Sequence, residues 1–437
     1  MEFSTTFPLI LGVLLFFFAR NFQNWNLWRS SRADNIPHVP GHLLFGSTEY
    51  FTRRDDFLEE TFERLDSSIF RFRVLFYNIV ALRGNAASTL FFNKKSLSFE
   101  AGYRLMHGMA PEPHDVKLKT YSELASPTFA KRVSTILKTE YYERIFPKIL
   151  DIFEETLKRN ASQSFNAFDT LKPCIVRAVL HILGSETISE SPESVEKMTN
   201  IIGKLSEGDS MTNIISCLTL FLFASFVETP PTISWIMIYL STSSEWNERA
   251  NREVQGFLAS HCSIRQGSSV SQYLAQIPLH AWETDLPVLD AVIDETVRLT
   301  LIGAVIRRNV GEDFNFEGST IRHGDFLTYP LADKHLDPAQ FPSPHSFNPG
   351  HHLGVDTANK FWGFGGGRHP CLGKRSAYII IKAFLVTLLT GYDYTIVDRH
   401  GHPLLAPPTP KKNSFHTCEL EAGVTAHVDL AFKVIQE

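Results

Sequence analysis

The stretch FWGFGGGRHPCLG, Phe361 to Gly373, constrains this chain more than any other. Its glycines and its proline cannot continue a helix or a central strand, so it must be a tight loop. Directly after it runs LGKRSAYIIIKAFLVTLLTGYDYTIV, a strongly apolar helix leading into a strand. The fold must therefore bury that helix and hold Cys371 at its N-terminal end. Backbone N–H groups point at such a position and favour a thiolate.

The chain has 437 residues, of which 43% are hydrophobic. That suffices for one large domain or two smaller ones with a sizeable core. The net charge of -5 is spread without long basic or acidic runs, which argues against a nucleic-acid partner. Thirty-five phenylalanines point to a large apolar interior or an apolar pocket. The five cysteines, Cys174, Cys217, Cys262, Cys371 and Cys418, are widely spaced and odd in number. That argues against a zinc cluster or a disulfide framework and for a reducing compartment.

Residues Phe7 to Ala19, with the uncharged Phe3 to Thr6, approach the lower limit of a membrane-spanning helix, roughly 17 residues. No positive n-region or small-residue cleavage site precedes the body. Arg20, Arg29 and Arg32 follow the stretch and place the remainder in the cytosol. The expected organisation is an anchor at 1–22, a proline-rich hinge at 23–45 and a catalytic domain at 46–437. The corresponding location is a single-pass anchor in the endoplasmic reticulum membrane.

Amphipathic helical spacing dominates from about Arg53 to Leu301. RFRVLFYNIVALRG reads as two short strands, and NFEGSTIRHGDFLTYPL alternates like strands broken by Gly turns. DPAQFPSPHSFNPG reads as an irregular packed loop, and Thr417 to Phe432 as a terminal hairpin. The fold class is mainly α with small β-sheets.

Three constellations carry chemistry. The first is Cys371 with Arg368 and His369. A thiolate there suits ligation of haem iron, with Arg368 and His369 facing the haem carboxylates. A nucleophilic or a structural cysteine are the alternatives. The second is Glu295 and Arg298, at i and i+3 on one helix face. The third is FLFASFVETPPTISWIMIYL, where Glu228 and Thr229 precede Pro230 and Pro231. Proline removes a backbone donor, so a kink with a locally opened groove is expected, or a break into two helices. A carboxylate and a hydroxyl at such an opening suit proton delivery.

In this order the three resemble the cytochrome P-450 superfamily of haem-thiolate monooxygenases. ASFVETPPTISW is similar to the oxygen-binding helix of the steroid 7α-hydroxylase and prostacyclin synthase branch, and the overall texture resembles fungal secondary-metabolism enzymes. The resemblance implies a triangular helical prism around haem b. Cys371 is then the axial iron ligand, Phe364 packs on the proximal side, Gly367 makes the turn and His369 binds a propionate. Arg308 is the matching strand arginine, with Arg307 as the alternative. Glu295 and Arg298 brace the core, and His351 stands where the family usually has arginine. Thr229 and Glu228 match the family's acid–alcohol pair. The implied partners are a lipophilic substrate and a reductase passing electrons from NADPH. No clear WxxxR is found between Thr120 and Arg132. The span from Gly184 to Thr229 is short for the family, which implies lid helices shortened or absent over 185–223. A haem-thiolate isomerase or dehydratase, and a non-catalytic haem-binding protein, are the alternative functions.

Overall fold

The computed structural model describes residues 35–75, 77–99, 101–102, 138–161, 164–182, 189–196, 216–262, 269–354, 361–411, 420 and 427–432. In chain order its main elements begin with α1 (Arg54–Leu65), β1 (Ile69–Val74), β2 (Tyr77–Leu82), α2 (Asn85–Asn93) and β3 (Leu97–Ser98). Next come α3 (Thr139–Asn160), β4 (Phe165–Asn166), α4 (Ala167–Ile182), α5 (Ser216–Thr242), α6 (Ser244–His261) and α7 (Val270–Leu274). They are followed by α8 (Leu279–Thr284), α9 (Pro287–Thr300), β5 (Ala304–Asn309), β6 (Phe314–Phe316) and β7 (Ser319–Ile321). The last are β8 (Phe326–Pro330), α10 (Lys374–Gly391), β9 (Tyr392–Val397) and β10 (His427–Phe432). Two compact units result. The first draws its described residues from 35–102, 303–334 and 367–369, the second from 138–302, 335–366 and 370–432.

The first unit is built on a sheet of order β1-β2-β8-β5-β3. RFRVLFYNIVALRG does form two antiparallel strands, with Ile69 opposite Leu82 and Leu75 at φ +50° in the turn. β2 runs parallel to β8, and β5 antiparallel to it. Aromatic rings fill the space against α1, with Phe62 meeting Phe70 at 4.7 Å and Phe57 meeting Phe72 at 5.1 Å, both edge to face. The buried cation Arg71 is paired with Asp325 at 3.0 Å. The described part of the proline-rich stretch lies along β1. The Arg71 N–H donates to the Pro37 carbonyl and the Val39 N–H to the Arg71 carbonyl, each at 2.8 Å.

The second unit is helical around α10. From Ile379 to Leu388 its apolar side chains are each 3% exposed or less. α3 shows why its sequence is a helix. Tyr142, Ile145, Phe146, Ile149, Leu150, Phe153 and Leu157 are buried at i, i+3, i+4, i+7 spacing, and polar residues take the other face. Tyr142 donates to the Ser376 hydroxyl at 2.6 Å, tying α3 to α10. Glu253 on α6 accepts the Val288 and Leu289 N–H groups at 2.6 and 2.9 Å, satisfying two donors that the first turn of α9 leaves open.

Two expectations need correction. Pro230 and Pro231 do not break the chain into two helices, because α5 runs through both. Burial of Ile233, Trp235, Ile236, Met237 and Leu240 offsets the lost backbone bonds. Thr232 and Ser234 turn their hydroxyls back onto the Glu228 and Pro230 carbonyls at 2.6 and 3.1 Å. In the tail, β10 pairs with β9 and β4, and residues 417–419 and 421–426 of the terminal hairpin expected over Thr417 to Phe432 lie outside the described residues. The single-pass anchor in the endoplasmic reticulum is overturned: among the described residues no helix is long and apolar enough to cross a membrane. The apolar length of α10 is instead spent on the core. Residues 1–22, 120–132 and most of 185–215, which carried the anchor, the WxxxR search and the shortened lid, lie outside the described residues.

Glu154 on α3 accepts the Val270 and Ser271 N–H groups, each at 3.0 Å, and the Lys158 ammonium at 2.6 Å. Burial pushes its carboxyl pKa up, but those hydrogen bonds outweigh burial and hold it at about 2. A depressed carboxylate stabilises the fold above its unfolded value and loses that contribution as pH falls toward the folded value. Glu154→Gln is expected to cost about 2–3 kcal/mol at pH 7, with the gap to the parent closing between pH 4.5 and 2. Denaturant unfolding at several pH values measures this, and a gap independent of pH would contradict it.

Candidate functional site

Glu295 and Arg298 lie one turn apart on α9, and both are 0% exposed. Such a pair is tolerated only when every charge-bearing atom finds a partner. Here the fork is bidentate, with Nε and Nη2 of Arg298 donating to the two Glu295 oxygens, each at 2.7 Å. The remaining guanidinium donors reach the carbonyls of His335 at 2.6 Å, Pro344 at 2.7 Å and Ser346 at 3.3 Å. On the acidic side Glu295 Oε1 accepts from the Asn348 N–H at 2.9 Å and meets His351 Nδ1 at 3.2 Å. Its Oε2 meets His352 Nε2 at 3.0 Å. Burial alone would raise the Glu295 carboxyl; Arg298, His351 and His352 outweigh it and hold the group well below the usual range.

His351 also presents Nε2 to the Pro342 carbonyl at 3.1 Å. Its two ring nitrogens thus face two acceptors. The brace contains a second imidazole, His352, that the sequence reading did not single out. The only signal for it was the doublet His351-His352.

From this brace the chain reaches the cysteine loop. Phe361 and Trp362 are buried, and Phe364 lies 5.1 Å from the Tyr378 ring of α10. The Cys371 N–H donates to the Phe364 carbonyl at 2.8 Å, closing the loop. A Cβ at Gly366 would stand 1.8 Å from Cζ3 of Trp362, and one at Gly363 2.5 Å from Cγ1 of Val297. These glycines therefore let the backbone press against the protein's own rings and α9.

Cys371 is exposed, and the backbone N–H groups of Gly373 and Lys374 donate to its sulfur. Although the residue keeps an exposed surface, its sulfur is set among enough protein that desolvation is the largest influence and raises the thiol pKa, and Glu228 adds to it. The N–H groups and the Lys374 ammonium pull the other way. The expected thiolate-stabilising amides are thus present, yet the net direction for the metal-free side chain is toward the thiol. The influence of Glu228 brings the α5 acid–alcohol pair into the electrostatic environment of the cysteine. Glu228 is half-buried, and Thr229 beside it is 7% exposed.

In the first unit, the cations Arg307 and Arg368 act on the imidazole of His369. Both arginines and burial hold the imidazole pKa of His369 down, burial being the largest cause. His369 Nε2 is buried without a hydrogen-bond partner among the described residues. Gly367 takes φ +56°, and a Cβ there would stand 2.4 Å from Asn93 Oδ1. Arg307, 4% exposed, stands over the rings of Phe91, Phe92 and Phe99. Arg308 instead covers Phe326 and donates to the Gly324 carbonyl at 3.2 Å. Of the two neighbouring arginines it is Arg307 whose charge acts on His369.

Each unit carries donors that fit part of a haem in chemistry. In the second, a sulfur with two amide donors suits a bound iron; in the first, arginines around an imidazole nitrogen suit a carboxylate.

Residues 199–410 match the family model described as cytochrome P450. The chain is 22% identical over 432 residues to cytochrome P450 monooxygenase AacuE of Aspergillus aculeatus, covering 82% of this chain and 86% of that protein. It is 28% identical over 282 residues to cholesterol 7-alpha-monooxygenase of Cricetulus griseus, covering 56% of this chain and 55% of the other. Its fold is similar to that of retinoic acid bound cyanobacterial CYP120A1, with TM-score 0.60 and 16% identity over 91% of this chain and 99% of that one.

Glu295→Gln would leave the Arg298 guanidinium buried without its counter-charge. It is expected to cost about 3–5 kcal/mol in denaturant unfolding. A loss below about 1 kcal/mol, the size of a surface pair, would show that the brace contributes little.

Proposed function

The chain belongs to the cytochrome P450 superfamily, and from that premise we propose that it is a haem-thiolate monooxygenase acting on a lipophilic small molecule. The substrate class is a sterol, a terpenoid or another secondary metabolite, with NADPH as electron source through a partner reductase. The observation that carries this reading is the acid–alcohol pair, Glu228 and Thr229, on α5 within electrostatic influence of Cys371. When bound, haem supplies the activation of dioxygen. Cys371 would hold the iron through its sulfur, to which the Gly373 and Lys374 N–H groups donate. In the first unit His369, Arg368 and Arg307 are suited to a haem carboxylate.

Thr229 and Glu228 have the task of moving protons. The Thr229 hydroxyl can pass a proton and accept another from the Glu228 carboxyl, which is open enough to exchange with solvent. A rearranging or dehydrating enzyme has no use for such a pair, which favours oxygen insertion. The likeness to cholesterol 7-alpha-monooxygenase supports a sterol-sized apolar substrate.

Two outcomes test this reading. Cys371→Ser is expected to abolish the red-shifted Soret band of the reduced, carbon monoxide-bound protein. An unchanged band would exclude Cys371 as the iron ligand. Thr229→Ala is expected to reduce product formed per NADPH consumed by about tenfold or more, with peroxide released instead. Product formation that is indifferent to Thr229 and to the reductase would point to rearrangement.

A further inference from the structure

His335 is fully buried at 0% exposure, outside the set of residues that the motifs single out. Its ring joins two segments of the second unit that are distant in sequence. Nδ1 lies 2.9 Å from the Leu301 carbonyl at the end of α9. Nε2 lies 3.2 Å from the Trp362 amide nitrogen, at the start of the cysteine loop. A carbonyl can only accept and an amide N–H can only donate, so the two contacts together define one tautomer: neutral imidazole with its proton on Nδ1. Burial holds this imidazole neutral and pushes its pKa down to about 3, with the Arg298 and His352 charges acting in the same direction. The ring also stacks at 5.4 Å, tilted by 31°, on Phe361. The His335 carbonyl receives the Arg298 guanidinium at 2.6 Å, so the brace locks the residue's own backbone.

We propose that His335 is a positioning residue for the Cys371 loop, acting through its acceptor nitrogen on the Trp362 N–H. The proposal rests on Cys371 as the residue that holds the iron. Trp362 must stay put, because its indole fills the space beside Gly366, and the Cys371 N–H closes onto Phe364 two residues further on. Releasing the Trp362 amide frees the start of the loop and lets the sulfur shift relative to its Gly373 and Lys374 donors. Arg298 and Glu295 then brace His335, and His335 braces the loop.

Three substitutions separate the ring's functions. His335→Gln can keep an acceptor near the Nε2 position, His335→Asn can keep the Nδ1-like donor to Leu301, and His335→Phe keeps the stacked ring and loses both bonds. Two readouts are taken on the haem-loaded protein. One is hydrogen exchange by mass spectrometry of peptides covering 361–373. The other is the share of the carbon monoxide-bound form with the red-shifted Soret band. In His335→Phe loop exchange is expected to rise about tenfold, the effect of one lost buried hydrogen bond, and the red-shifted share to fall. His335→Gln is expected to restore both toward the parent, and His335→Asn neither.

Thermal midpoints that fall in all three variants while loop exchange and spectrum stay at parent values would overturn the proposal, leaving His335 as packing only. Equal behaviour of Gln and Asn would also overturn it, since the acceptor nitrogen would then have no special role. The exchange measurement reads the His335–Trp362 link directly. If Cys371→Ser leaves the Soret band unchanged, the haem-ligand reading fails while the exchange result still decides whether His335 holds the loop.

Discussion

A carboxylate and a guanidinium at zero exposure, Glu295 and Arg298, set the terms for the second unit. Taking both ions out of water costs several kcal/mol each, and their mutual attraction offsets this only with good geometry and satisfied remaining atoms. The segment from His335 to His352 supplies those partners: three carbonyls for the cation, one N–H and two imidazoles for the anion. A stretch rich in proline, regular only in the 3-10 turn Pro349–His351, is thereby held against α9. The ion pair anchors the course of this stretch through these bonds.

The cysteine loop inherits its position from that arrangement. Its N-terminal end is gripped by buried rings and by the His335 imidazole, and its C-terminal end by the first turn of α10. At the sulfur two opposing influences meet. Backbone N–H groups favour charge and surrounding protein disfavours it, with burial the larger. This balance suits a sulfur whose charge is completed by a bound metal, since a coordinating thiol is deprotonated outright. The electrostatic reach of Glu228 to the same sulfur puts the acid–alcohol pair and the cysteine in one chemical environment, although they are far apart in sequence.

Two glycines of the loop are required by the chain's own packing: a Cβ at Gly363 or Gly366 would overlap a side chain. The two prolines of α5 announce a disruption that the helix absorbs. Apolar burial on the following two turns outweighs the missing donors.

The sequence by itself determined the kinds of element and which residues are candidates for the chemistry. Helical spacing in α3, the two strands around Leu75, the apolar helix after Cys371 and the i, i+3 pair on α9 are local patterns, and local periodicity fixes them. The tertiary structure alone decided which neighbouring side chains meet. Arg307 is buried over Phe91, Phe92 and Phe99 and its charge acts on His369, whereas Arg308 covers Phe326. His352 joins His351 on Glu295, and His335 reaches Trp362, through contacts between residues far apart in the chain. A hydrogen bond depends on distance and direction in space, and neither is written in the order of residues.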